Sequence, residues 1–306
     1  MIIYRELASL ENDLGYSAKM MYSLSNTINT HYHEADIPKG NGEYRKLFIP
    51  DIELKALQKK IANVILNQIE ISPYAAAYRI GGSTLRNAKP HVGHAVLLKL
   101  DIRHFFDKIT YALIRELVFS NEVFSESNGI LLSTLCCYKD CLPQGAPTSP
   151  AISNIIMRGF DNAVGTWCGE GGIEYTRYCD DMTFSGSFDT NQLTDFVSAE
   201  LKKLGFYLNS KKTRIVKQGQ RQTVTGIVVN ERISIPAYYK RKIRQEIYYC
   251  RKYGVASHIL KVCPHQSSAE YLSGLLGRIN YVLSAEPNND DMKEYKTAVI
   301  EWKNRL

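Results

Sequence analysis

The chain has 306 residues, 44% of them hydrophobic, which allows one large core or two to three subdomains. Its formal charge is +7, and residues 236–306 carry twelve Lys/Arg against seven Asp/Glu, so +5 of that charge lies in the last quarter. A basic C-terminal module points to a polyanion, most simply nucleic acid. Seven cysteines are scattered, and Cys136, Cys137 and Cys141 cluster without the paired spacing or nearby His of a zinc site. Reduced, packing thiols in a cytoplasmic protein are expected. Met1-Ile-Ile-Tyr-Arg-Glu6 shows no basic start before a long apolar run, so no signal peptide is expected. No apolar stretch approaches the roughly 20 residues that span a bilayer, which excludes a membrane-spanning helix.

Residues 1–30 are mixed and mildly helical, and residues 36–43 are rich in turn formers. Tyr44–Pro50 reads as a strand, and Asp51 as the start of a helix with Leu54, Leu57, Ile61, Val64 and Ile65 on one face. Arg45, Lys46 and Lys55 flank that junction. Residues 78–94 form a basic, Gly-rich loop region. The apolar strand His94–Asp101 ends on an acid, and Phe105 and Phe106 follow it. The pattern from Ala112 to Tyr138 is helical, with a break near Ser125–Gly129.

Leu142–Pro150 is punctuated by three prolines and a glycine, so it is neither a helix nor a strand interior. It presents backbone N–H groups and the Gln144 amide to a ligand. A helix is expected from Ala151 to about Val164. In Tyr175–Ser185 the acids Asp180 and Asp181 lie between two runs of β-branched and aromatic residues, a pattern of strand, tight turn, strand. Neighbouring carboxylates repel and hold together best around a divalent cation. An amphipathic helix over Asn191–Leu204, a loop and strand over Phe206–Ile215, and a strand over Val224–Asn230 complete this part. After Pro236 a basic helix runs from Ala237 to Tyr253. Tyr239, Ile243, Ile247 and Cys250 share one of its faces; Lys240, Arg241, Arg244, Tyr248, Arg251 and Lys252 share the adjoining one.

A strand-end Asp101, a Pro/Gly loop with Gln144, and a Tyr-x-Asp-Asp hairpin, in this order, resemble the reverse transcriptase palm. Arg45–Gln58 resembles the first fingers motif, Leu98–Phe106 the motif of the first catalytic Asp, Gln144–Pro150 the Gln-Gly-x-x-x-Ser-Pro motif, and Leu204–Thr213 the later motif with Gly and Lys-Lys-Thr. Asn87-Ala-Lys-Pro-His91 and Val224-Thr-Gly226 are similar to two motifs of retron reverse transcriptases. Cys179 departs from the pattern, where Ala is commoner; a small side chain suffices in a packed turn.

The resemblance implies an α+β right-hand polymerase fold with fingers, a palm of antiparallel sheet and helices, and a small helical thumb. It implies an N-terminal extension at residues 1–30, fingers at 31–97, palm at 98–232 and an RNA-binding thumb at 233–306. About 70 residues follow Pro236, too few for an RNase H, integrase or endonuclease domain. Asp101, Asp180 and Asp181 would be the catalytic and metal-binding acids for two Mg²⁺ ions, with Mn²⁺ as a substitute. Asp107 would instead cap the helix after Ile109.

Arg45, Lys46, Lys55, Phe105, Phe106, Gln144 and Lys212 would surround the dNTP, with Phe106 as steric gate and Lys212 near the leaving pyrophosphate. Asn87, His91, Val224, Thr225 and Gly226, with the basic face of the C-terminal helix, would bind RNA. By the same resemblance, the enzyme copies part of a cognate non-coding RNA into single-stranded DNA. Priming from an internal 2′-hydroxyl gives a branched RNA–DNA, in an anti-phage system with an effector protein. The alternatives are a reverse transcriptase of another bacterial lineage, and an RNA-binding scaffold for an effector.

Overall fold

The computed structural model describes residues 4–38, 42 and 44–305. The readings that rest on Met1–Ile3 and on Lys39, Gly40, Asn41 and Glu43 lie outside the described residues. In chain order the elements are α1 (Leu7–Leu14), α2 (Ala18–Asn26), β1 (Tyr32–Pro38), β2 (Tyr44–Pro50), α3 (Ile52–Val64), α4 (Thr84–Ala88) and β3 (Val96–Asp101). There follow α5 (Phe105–Lys108), α6 (Tyr111–Leu117), α7 (Glu126–Cys136), α8 (Ser149–Glu170), β4 (Glu174–Tyr178), β5 (Asp181–Gly186), α9 (Thr190–Lys203) and β6 (Arg214–Lys217). The chain closes with β7 (Thr223–Val224), β8 (Ile227–Val228), α10 (Ala237–Tyr253), α11 (Val255–Val262), α12 (Ser268–Ala285) and α13 (Asp290–Asn304). The α+β class expected from the sequence holds.

Most of these helices start where a short polar side chain can take up an orphan backbone N–H. Ser17, Asp51, Thr110, Ser125, Asp189 and Asn289 cap α2, α3, α6, α7, α9 and α13, and Ser267 with Glu270 forms a full capping box on α12. Asp107 is therefore not the cap expected: it lies inside α5, and Thr110 accepts from the Leu113 N–H instead. The break in the 112–138 pattern falls before Ser125, and Gly129 is inside α7. Residues 36–38, expected in a turn, extend β1, with Asp36 opposite Lys46 and Ile37 opposite Arg45.

The chain forms two compact units. The first comprises Met1–Gly82 and Leu98–Ile215, the second Ser83–Leu97 and Val216–Leu306. In the first, a four-stranded sheet runs in the order β4-β5-β3-β6, and β4 and β5 are an antiparallel hairpin. Its core gathers Leu98, Leu100, Met182 and Phe184 of the sheet with Ile152, Ile156, Phe160 and Val164 of α8. The second unit has its own core, in which Ile243, Ile247 and Cys250 of α10 meet Leu272, Leu275 and Ile279 of α12. That is the apolar face expected for the basic helix.

The strand expected over Val224–Asn230 is instead a hairpin of two short strands, β7 and β8. Thr225 and Gly226 both take positive φ, 45° and 84°, and reverse the chain.

Candidate active site

The hairpin β4–β5 pairs Tyr178 with Asp181, leaving only Cys179 and Asp180 in the loop. So short a loop needs a left-handed residue, and Cys179 supplies it at φ 63°. A side chain in that region costs about 1–2 kcal/mol, so surrounding contacts must impose it. Arg177 does so from behind. It is wholly buried, and its Nη1 donates to the Cys179 carbonyl at 2.9 Å.

The Arg177 charge is met by Asp161 of α8 through two bonds, 2.8 and 2.6 Å, and Asp161 also accepts from the Tyr175 hydroxyl at 2.8 Å. Asn154 of α8 accepts from Arg177 at 3.2 Å and donates to the Ala77 carbonyl. The Tyr78 hydroxyl reaches the Cys179 thiol at 3.4 Å. Gly165 lets α8 come this close: a Cβ there would lie 2.0 Å from the Tyr74 ring. None of these bracing residues was singled out from the sequence.

The acids converge through the backbone. The Ile102 N–H, just past Asp101, donates to the Asp180 carbonyl at 3.0 Å, so the end of β3 and the hairpin tip are tied together. Asp101 is nearly buried. Its carboxylate accepts from Lys212 Nζ at 2.7 Å and from Asn209 Nδ2 at 3.1 Å, and the Asn209 N–H donates to the Asp101 carbonyl. Crowding by protein first, then the charges of Asp180 and Asp101, pushes Asp181 up to about 6. For Lys212, burial alone would lower the ammonium, but the bond and charge of Asp101 outweigh it, so its pKa is raised. Lys99 is lowered by burial, and Asp181 opposes that.

Among the described residues no group of three His, Cys, Asp or Glu side chains is drawn together closely enough to hold a metal ion. The donor chemistry nevertheless fits a hard divalent cation. After its burial, the charges of Asp180 and Asp101 raise Asp181, and the cation already drawn to Asp101 is a lysine. Because Asp181 is raised above its usual value, this group favours the folded state below pH about 4, and that contribution is lost as pH rises through about 6. Asp181→Asn is therefore expected to raise the melting temperature at pH 8 in a chelator. Mn²⁺ affinity of the native protein should weaken as pH falls through about 6, read by calorimetric titration.

A cleft of about 870 Å³ opens over these groups. Asp101, Asp180, Asn209 and Lys212 line it on one side, and Tyr44, Arg45, Lys46 and Phe48 of β2 on another. Gln144 joins them because the Phe48 N–H donates to its carbonyl at 2.8 Å. Next to it Gly145, at φ 125°, lies so near β2 that a Cβ would be 2.7 Å from the Phe48 carbonyl. Phe106 faces the cleft, while Phe105 is the anchor beneath it, against Phe206.

Arg45 is exposed at the cleft wall, and Lys46 is paired with Glu34 at 2.7 Å. Lys55, expected beside the nucleotide, stands on α3 and is not among the cleft-lining residues, because the helix turns it outward. Tyr78, Arg103, His104 and Asn209 line the cleft and were not foreseen; only the neighbourhood of Asn209 to Lys211-Lys212 hinted at one of them.

In the second unit the two short motifs meet. Asn87 Nδ2 donates to Thr225 Oγ1 at 3.4 Å, and that hydroxyl donates to the Thr84 carbonyl. Asn87, His91 and Val224, expected at an RNA surface, are buried. Burial, then His94, lowers His91 to about 3, so it is neutral and part of the packing. Of the basic face of α10, Lys240 is held by both oxygens of Glu286, while Arg244 and Arg251 pair with Asp291 and Glu294 at 2.9 Å. The helical wheel could not show these acids. The two arginine pairs are exposed and worth about 0–1 kcal/mol each, little obstacle to a competing phosphate. Tyr248 is exposed with Lys252 over its ring.

A family model described as reverse transcriptase (RNA-dependent DNA polymerase) matches residues 37–272, so the cleft belongs to an RNA-directed DNA polymerase. Retron Ec86 reverse transcriptase of Escherichia coli is 33% identical over 220 residues, 70% of this chain and 68% of that protein. Retron Ec83 reverse transcriptase of Escherichia coli is 32% identical over 268 residues, 81% of this chain and 82% of that protein. Retron Mx65 reverse transcriptase of Myxococcus xanthus is 32% identical over 234 residues, and the chain spans 55% of its length. The chain belongs to the retron reverse transcriptases. No helix among its described residues is long and apolar enough to cross a membrane, and the seven cysteines are free.

Proposed function

We propose that this reverse transcriptase copies part of a structured RNA into DNA at the cleft lined by Asp101 and Asp180, with Asp181 next to Asp180 in sequence and serving the same site. The observation that carries this is the junction of β3 with the β4–β5 hairpin, which brings Asp101 and Asp180 together in a cleft that Arg45 also lines. Two Mg²⁺ ions, or Mn²⁺ in their place, supply stabilisation of the attacking and leaving oxygens of an in-line phosphoryl transfer. The three carboxylates hold them, and Arg45 grips the triphosphate. Lys212, freed from Asp101, lies on the cleft side where it can deliver a proton to the departing pyrophosphate. Gln144 orients the incoming nucleotide, fixed in place by its backbone bond to Phe48.

Phe106 is the steric gate in this reading. Phe106→Ala is expected to raise the ratio of rNTP to dNTP incorporation by at least about tenfold, about 1.4 kcal/mol of reduced discrimination. An unchanged ratio would mean that the ring packs elsewhere.

Membership of the retron family supports the finer reading: a cytoplasmic enzyme primed from a 2′-hydroxyl of its own RNA, a branched product, and service with an effector in anti-phage defence. The fingers, palm and thumb divisions at residues 31–97, 98–232 and 233–306 belong to the same proposal. The exposed basic and aromatic residues of α10 give the RNA backbone a partner. Arg241→Ala with Lys252→Ala should flatten the slope of log K against log salt by about 0.7–0.9 for each phosphate no longer neutralised. The whole reading is tested by dNTP incorporation on an RNA template with Mg²⁺. Synthesis that a chelator stops is expected; tight RNA binding without synthesis would favour the scaffold alternative.

A further inference from the structure

The second unit holds a pocket of about 590 Å³ that the polymerase chemistry does not use, with Lys242, Tyr249, His258, Tyr271, Gly274 and Arg278 among its lining residues. Three aromatic rings are set together there. Tyr249 lies nearly parallel to His258, centroids 5.7 Å apart and planes 27° apart, and Tyr271 meets His258 edge-on at 5.8 Å.

Below the rings runs an ordered chain of polar groups. Arg278 donates to both oxygens of Glu246, at 2.8 and 2.6 Å. The Tyr271 hydroxyl donates to Glu246 at 2.8 Å, and burial followed by the Glu246 bond and charge raises the phenol, so it stays an O–H donor. With its one proton committed to Glu246, Tyr271 must accept from His258 Nε2, 3.1 Å away. That assigns the proton of the imidazole to Nε2. Its Nδ1, on a ring that lines the pocket, is left as the acceptor of the neutral imidazole.

Gly274 adds a second observation. It lies inside α12, where Gly costs about 1 kcal/mol relative to Ala. A Cβ built there meets nothing within 4 Å, so packing does not demand the glycine. Gly274 lines the pocket, and its missing side chain leaves that stretch of the wall bare.

We propose that this pocket receives one unpaired base of the RNA, stacked on Tyr249 and presenting an exocyclic amino group to His258 Nδ1. This rests on the RNA-copying reading and deepens it by naming a sequence-reading site outside the polymerase cleft. The volume lies in the range of ligand pockets and suits a nucleotide. Aromatic walls with a few fixed polar groups are how proteins read splayed-out RNA bases. Lys242 at the rim and the +5 charge of residues 236–306 favour an RNA strand as the source of the base.

The test is the affinity of the full-length protein for the RNA that copurifies with it, titrated across salt. Gly274→Phe is expected to fill the pocket from a position where a Cβ meets nothing within 4 Å, on a helix that the change should not weaken. Tyr249→Leu removes the stacking face, and Tyr249→Phe keeps it. Base–aromatic stacking sets the expected loss at about 5- to 100-fold for Gly274→Phe and Tyr249→Leu, with Tyr249→Phe near native. The salt slopes should stay parallel, since every phosphate keeps its partner.

Native affinity in Gly274→Phe with an unchanged melting temperature would overturn the proposal. Displacement of the RNA by AMP, lost in Gly274→Phe, would move the ligand from an RNA base to a free nucleotide and overturn it as well. Failure of the native protein to bind RNA at all would sink the RNA-copying reading itself, a different result from equal binding by native and variant proteins.

Discussion

Asp180→Asn is expected to lower RNA-templated DNA synthesis by about 10³-fold or more while the protein stays folded. The change is nearly isosteric but removes a charge from a cluster whose net negative field draws the cations in. Charge stabilisation of a phosphoryl transition state by a held cation is worth several kcal/mol, and each 1.36 kcal/mol is about tenfold in rate. Lys212 should stay on Asp101 in this variant, because that bond does not involve Asp180. Single-turnover extension of a primer annealed to RNA, with circular dichroism of the same sample, checks both halves. Extension at the native rate would remove Asp180 from the chemistry.

The second large effect is on the brace behind the hairpin. Asp161→Ala leaves the Arg177 guanidinium buried with no counter-ion, and breaking a buried pair from one side costs about 3–5 kcal/mol. For a protein of this size that lowers the melting temperature by roughly 6–20 °C. Replacing both partners, Asp161→Leu with Arg177→Met, should recover much of the stability, since no charge is left stranded. It should not recover synthesis. The Cys179 carbonyl still loses its donor, and the left-handed turn that presents Asp180 loses its restraint. Melting curves and extension rates, both taken well below the transition, separate the two effects. If the double variant synthesises DNA at the native rate, Arg177 and Asp161 serve stability alone.

The sequence made the hairpin legible because its signal is local: β-branched and aromatic residues on both sides of two acids in a turn, within eleven positions. The order of Asp101, Gln144 and the hairpin was equally plain. The brace was not, because Asp161 and Arg177 lie on different elements and meet only when α8 packs against β4. The apolar face of α10 could be read from its period, since Ile243, Ile247 and Cys250 are buried as expected.

Its basic face was read without the acids that the fold brings to it. Glu286, Asp291 and Glu294 are at least 43 positions away from the charges they meet, so no local pattern announces them. Asn87 and His91 were placed at an RNA surface because their motif resembles one of retron reverse transcriptases. The structure buries them, and Thr225 takes the Asn87 hydrogen bond that RNA was expected to take. A motif read by resemblance as an interface is thus also a way to hold a loop in shape.

The measurement closest to the central claim is the nature of the nucleic acid that copurifies with the protein after expression beside its flanking DNA. An enzyme that primes from a 2′-hydroxyl of its own RNA should yield RNA covalently joined to single-stranded DNA. The joint should survive denaturation and be cut by an enzyme specific for 2′,5′ linkages. Asp180→Asn should carry the RNA alone. DNA that separates from the RNA on denaturation, or an Asp180→Asn protein that still carries joined DNA, would contradict it.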